Sequence, residues 1–386
     1  MICSGNFSEP YLPAFPGQED FTGEVLHTCQ YRTSDPFKDK NILVIGTKKQ
    51  FTDQFIKKHL KAKQVYLSSR HGFWVYPRRA MGGWPYDVLL DNRFSMSVVP
   101  GWLIRWVYQQ FLERDIDYDV IGIKPARKLF EENFAVNDSI FSQITCGKIK
   151  VRSGVKRFIR NGVEFEDGTK LEGIDVVLIG TGYIVKTPFI DDKILSDDTN
   201  TRELYKYVFP ARLPHATLAC IGLMGTDSGL TPIGEQQARW SLRVFKGHIT
   251  LPPTQKMLDD ISEKAQYLRE RYGRPKDFVS QIPGVALTDE LTSEMGCYPS
   301  LKKLFVTDPK LAAKVLFAPV TPFTYRLLGP HSWSGARDAV TNVWDACMTG
   351  IQGKPSVMRQ TKSKSSALWI VMISLPFIIG ILTFFF

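Results

Sequence analysis

Gly46 closes a short apolar strand, Ile42-Leu43-Val44-Ile45, within KNILVIGTKKQF at 40–51. A glycine directly after such a strand suits a phosphate-binding turn, in which the chain bends into a helix whose free N–H groups face the ligand. A dinucleotide turn continues Gly-x-Gly-x-x-Gly. Its second glycine admits the pyrophosphate and its third lets helix and strand pack closely. Here those places hold Lys48 and Phe51. A positive φ at Lys48 would strain the backbone by about 1–2 kcal/mol, which its ammonium would partly offset by pairing with a phosphate. The stretch is either an altered nucleotide turn or a β-α-β unit that never held a nucleotide.

The end of the next strand, QVYLSSR at 64–70, bears on that choice. NAD sites place an acid here for the ribose hydroxyls, whereas NADP sites place an arginine for the 2′-phosphate. This chain has Ser69-Arg70, with Arg70 twenty-four positions after Gly46. The alternative for Arg70 is a solvated arginine at a strand end. Metal chemistry finds no support. The six cysteines (Cys3, Cys29, Cys146, Cys220, Cys297, Cys347) lack CxxC or any ligand spacing and read as reduced thiols of a cytosol-facing protein.

The elements that position these residues form a β-α-β unit. Strand 41–45 leads into a helix carrying Phe51, Phe55, Ile56 and Leu60 at helical spacing, and strand 64–70 comes next. A parallel pair with such a crossover builds a doubly wound α/β sheet. Residues 73–145 read as a long excursion rich in aromatics, proline and glycine. Alternating segments then resume, joined at Asp167-Gly168 by a hairpin-type turn. Strand 175–179 runs into Gly180-Thr181-Gly182-Tyr183, and helical segments lie beyond 250.

The net charge of +10 suits a phosphate-bearing ligand or an anionic membrane. No basic–aromatic block points to nucleic acid. The N-terminal stretch lacks the pattern of a signal peptide. The last twenty residues, ALWIVMISLPFIIGILTFFF at 367–386, carry no charge. As a helix they would span roughly 30 Å, the thickness of a bilayer's hydrocarbon core. Lys354, Arg359, Lys362 and Lys364 precede them, so the positive-inside rule keeps the bulk cytosolic. A tail anchor is expected.

Phe21, Gly23, His27 and Tyr31 in FTGEVLHTCQY (21–31) fit F-x-G-x-x-x-H-x-x-x-Y, and the chain thereby resembles the flavin-containing monooxygenases. GTGY at 180–183 is similar to that family's ATGY, and IGEQQARWSLRVFKG (233–247), 305–330, GARDAVTNVWD (335–345) and the apolar tail are similar to its C-terminal blocks. Arg32 after Tyr31 points away from the related Baeyer–Villiger enzymes. The resemblance implies NADPH and FAD as cofactors. NADPH contacts would fall at Gly46, at Gln50, Phe51, Thr52 and Asp53 on the helix start, and at Ser69 and Arg70. Thr181, Gly182 and Gln237 would lie where the returning FAD domain closes over the flavin. Phe21 and His27 would position the linker between the two nucleotide domains, and no side chain is singled out as catalytic.

The implied fold is a Rossmann-like NADP domain inserted in an incomplete FAD-binding domain, ending in a transmembrane helix. Its expected parts are the FAD-domain end and linker (1–36), the NADPH domain (37–174) and the returning FAD-domain and C-terminal region (175–350). A basic linker (351–366) and the anchor (367–386) complete it. The family's first β-α-β unit and the Asn after it are missing, so the chain resembles an N-terminally truncated member and is expected to hold flavin poorly by itself. The implied activity is N- and S-oxygenation of tertiary amines and sulfides with NADPH and O₂, at the endoplasmic reticulum membrane. Expected partners are those substrates and the membrane, with a homo-oligomer allowed and no nucleic acid. The alternative is an inactive membrane-anchored relative that associates with intact homologues.

Overall fold

A computed structural model describes residues 1–46, 61–79, 84–85, 87–88, 91–114, 116–131, 134–195, 202–272 and 282–349. Its centre is a five-stranded sheet of β1 (Glu24–His27), β2 (Asn41–Ile45), β3 (Gln64–Ser68), β4 (Ile149–Arg152) and β5 (Val176–Ile179). The spatial order is β1-β5-β2-β3-β4, and every pair is parallel.

Parallel strands covered on both faces need continuous apolar runs rather than alternation. Ile42-Leu43-Val44 and Val176-Val177-Leu178-Ile179 are such runs, and all seven side chains are fully buried. The pleat sends Ile42, Val44 and Leu178 to one face, against Trp74, Ile123 and Leu129. Leu43, Ile45, Val177 and Ile179 face Phe158, Val163 and Phe165 on the other. Those three aromatic and branched residues belong to an antiparallel meander of Val155–Ile159, Gly162–Phe165 and Lys170–Glu172. Its second turn is the Asp167-Gly168 pair read from the sequence: Gly168 takes φ +81, and Asp167 Oδ1 accepts from the Thr169 N–H at 2.9 Å.

β3 ends at Ser68, two residues before the expected limit. The chain soon turns through Gly72 (φ +67), where a Cβ would lie 2.1 Å from the Lys124 carbonyl oxygen. The excursion is more regular than its composition suggests. Trp74–Tyr76 pairs in parallel with Phe134–Val136, and the helices Arg93–Val98, Gly101–Glu113, Tyr118–Ile121 and Ile140–Thr145 accompany them.

A second core surrounds the fully buried Trp240 on the Leu230–Phe245 helix, with Leu287 and Leu291 of the Gly284–Glu294 helix. Buried Arg93 joins the excursion to this core. Its guanidinium donates to both Asp289 carboxylate oxygens at 2.8 Å and to the Tyr325 hydroxyl at 2.9 Å. Lys206, 3% exposed, likewise pairs with Glu290 and Glu294.

The expected crossover helix, the basic linker and the 367–386 segment lie outside the described residues. Among the described residues, no helix is long and apolar enough to cross a membrane.

Candidate functional site

The register sets the site. Because the five strands are parallel, His27, Ile179, Ile45, Ser68 and Arg152 stand in one row across the sheet. The loops leaving these five positions gather at the carboxyl edge, where open α/β sheets bind ligands.

At the middle of that edge Gly46 has φ +103 and donates its N–H to the Ser68 carbonyl at 3.2 Å. A Cβ there would lie 2.6 Å from the Gly180 carbonyl oxygen, while Gly180 itself donates to the Ile45 carbonyl at 2.7 Å. Glycine is thus required by the turn and by the close approach of the two strand ends. Lys48, Gln50, Phe51, Thr52 and Asp53 fall outside the described residues.

The 180–182 loop is fastened to the N-terminal segment and to β1. Thr181 donates through Oγ1 to the Tyr11 carbonyl at 2.5 Å. The Gly182 carbonyl accepts from the Tyr11 N–H at 2.8 Å and from His27 Nε2 at 3.0 Å. Gln237, fully buried in the second core, accepts from the Gly222 N–H at 2.9 Å and directs its amide nitrogen at the Met224 sulfur. The hydrogen-bonding groups of Thr181, Gly182 and Gln237 are thus engaged within the fold.

The fingerprint residues act as fasteners. The Phe21 ring meets Phe158 edge-on at 5.3 Å. Gly23 makes room for that ring, because a Cβ at 23 would stand 2.6 Å from it. His27 is 1% exposed. Its Nδ1 accepts from the Cys29 N–H at 3.2 Å, which leaves Nε2–H to donate to Gly182. Burial lowers its pKa, so the ring is neutral. Tyr31 packs on Phe37 with centroids 5.4 Å apart.

Ser69 and Arg70 open on a different feature, a cleft of about 800 Å³ at the ends of β3 and β4. Arg152, Ser153, Lys124 and Asp167 also line it. The Ser69 N–H donates to the Arg152 carbonyl at 3.1 Å, and Ser68 Oγ donates to the Ser153 carbonyl at 2.7 Å. Neither Arg70 nor Arg152 has a carboxylate within 4.0 Å among the described residues. By contrast, Arg93, Arg157, Arg212 and Arg326 are all ion-paired. A cleft at this edge with two guanidiniums that make no ion pair among the described residues fits an anionic nucleotide end.

A model of the flavin-binding monooxygenase-like family matches residues 1–386. The chain belongs to that family. Flavin-containing monooxygenase 2 of Homo sapiens is 39% identical over 345 residues, an alignment covering 88% of this chain and 64% of that protein. The chain therefore spans less than two thirds of that relative's length. The fold of this flavin-binding monooxygenase-like chain is similar to that of S-allyl-L-cysteine S-oxygenase from Allium sativum. That match has a TM-score of 0.52 at 22% identity, over 88% of this chain and 63% of that one. It is also similar to a steroid monooxygenase bound to NADP, with a TM-score of 0.52 at 14% identity, over 75% and 72% of the two chains.

Arg152 and Tyr11 were not anticipated as site residues. The first was legible as a basic residue ending a strand, but its neighbour β3 is remote in sequence. Tyr11 acts through its backbone, which its side-chain type does not advertise.

Proposed function

We propose that this chain is a flavin-dependent monooxygenase that reads NADPH at the carboxyl edge of its sheet and oxygenates nitrogen or sulfur in tertiary amines and sulfides. The observation that carries the reading is the Arg70–Arg152 cleft at the carboxyl edge of a parallel sheet, in a chain of this family. Ser69 and Arg70 would hold the adenosine end of NADP. Gly46 would give the pyrophosphate its turn, with Gln50, Phe51, Thr52 and Asp53 beyond it. A bound flavin would supply the oxygen chemistry. His27, Phe21, Gly23 and Tyr31 keep the linker against the sheet, so that the edge is rigid when a cofactor arrives. The division at 36/37 and 174/175 is part of this proposal. So are Thr181, Gly182 and Gln237 as parts of the wall beside the flavin, acting by shape rather than through free polar atoms.

The uncharged 367–386 segment and the four basic residues before it support a tail anchor in the endoplasmic reticulum membrane with the bulk in the cytosol. Lys48 and Phe51 at the glycine places favour a second reading, a membrane-anchored relative without catalysis. Incubating the protein with FAD, NADPH and a tertiary amine or sulfide separates the two. N-oxide or sulfoxide formed with NADPH consumption supports the enzyme. NADPH bound without product supports the inactive relative.

A further inference from the structure

We propose that Arg152 is a second reader of the ribose 2′-phosphate, partnered with Arg70, and that Tyr66 holds it in place; this rests on the assignment of the cleft to NADP. A 2′-phosphate carries close to two negative charges and three acceptor oxygens, more than one guanidinium satisfies. Arg70 is an exposed side chain beyond the end of β3. Arg152 ends β4, level with Ser68, on the strand beside it. The Ser69 N–H bond to the Arg152 carbonyl ties the two strand ends together at the mouth of the one cleft both arginines line.

The state of Arg152 distinguishes it from an ordinary surface arginine. It is half-buried, and its guanidinium carbon lies 5.6 Å from the centroid of the Tyr66 ring. Nη1 donates to the Val151 carbonyl at 3.0 Å. Tyr66 precedes Ser68 by two on β3, so it is the diagonal cross-strand neighbour of Arg152. A cation over an aromatic face keeps its edge donors available, unlike one locked to a carboxylate. The nearby Asp167 carboxylate accepts from Thr169 through both N–H and Oγ1, and it senses the Arg152 charge without forming an ion pair with it. An arginine fixed before the ligand arrives loses less side-chain entropy on binding.

The test is calorimetric titration of the full chain with 2′,5′-ADP and with 5′-AMP, which differ only in the 2′-phosphate. Arg152→Gln keeps a long polar stem over Tyr66 and should weaken 2′,5′-ADP by about tenfold or more while leaving 5′-AMP within about twofold. Arg152→Lys should regain part of the loss, since it restores charge without the fork. Tyr66→Leu should lower the preference a few-fold, and melting temperatures of all variants should stay near that of the parent. Equal weakening of both ligands by Arg152→Gln, or no weakening of either, overturns the inference while the Arg70 reading stands. A parent protein that binds both ligands equally overturns the NADP reading and this inference with it.

Discussion

His27 donates from Nε2 to the carbonyl of Gly182 at 3.0 Å, joining positions 155 residues apart in the chain. The bond fastens the end of β1 to the loop after β5, and the Tyr183 ring stands edge-on to the imidazole at 5.2 Å. The neutral imidazole, with one acceptor and one donor nitrogen on opposite sides of the ring, serves the Cys29 N–H and the Gly182 carbonyl together. That is a physical reason for histidine at the third fingerprint position.

Replacing His27 with alanine should therefore cost about 2–4 kcal/mol of stability, through a lost buried hydrogen bond and an unfilled site. The sign with pH comes from its lowered pKa. The stability it contributes is present above the unfolded value of about 6.5 and is lost as pH falls below it. Urea midpoints at pH 7.5 and 5.5 check this: the gap between parent and His27→Ala should shrink at the lower pH.

Gly46→Ala should destabilise by more than about 1 kcal/mol, because φ +103 disfavours an L side chain and its Cβ would press on the Gly180 carbonyl. Gly168→Ala has the same φ sign but nothing within 4 Å of the added Cβ. Chemical denaturation of the two variants should rank Gly46→Ala as the more severe.

The Asp91 carboxyl gives the opposite pH dependence. Burial, with the like charges of Asp87 and Asp227, pushes its pKa up to about 7 despite the Tyr108 hydroxyl bond at 3.2 Å. A raised carboxyl favours the fold below the unfolded pKa of about 4, and that contribution disappears as pH rises through 7. Asp91→Asn should raise the melting temperature relative to the parent at pH 8 and lose that advantage at pH 5. Calorimetric scans at the two values decide it.

How much of this was legible in the sequence depends on whether the signal was local. The apolar runs at 42–45 and 176–179 announced buried strands, and Asp167-Gly168 announced its turn, because each is fixed by adjacent residues. The insertion of β5 between β1 and β2 was not legible, since no local pattern reports which remote strand will be the neighbour. The strand pairing inside the excursion was not legible, because three-residue strands such as Trp74–Tyr76 are too short to show a period. Gln237 was placed by the resemblance alone, and that its amide serves the Gly222 N–H and the Met224 sulfur depends on tertiary packing that no local pattern reports.

The central claim is that the carboxyl edge of β3 and β4 reads NADPH, and equilibrium titration of the purified chain with NADPH and NADH tests it most directly. The parent should bind NADPH about tenfold or more tightly than NADH, and Arg70→Ala should remove most of that preference while changing NADH affinity little. Equal affinity for the two cofactors in the parent, or a preference that survives Arg70→Ala intact, would contradict the account.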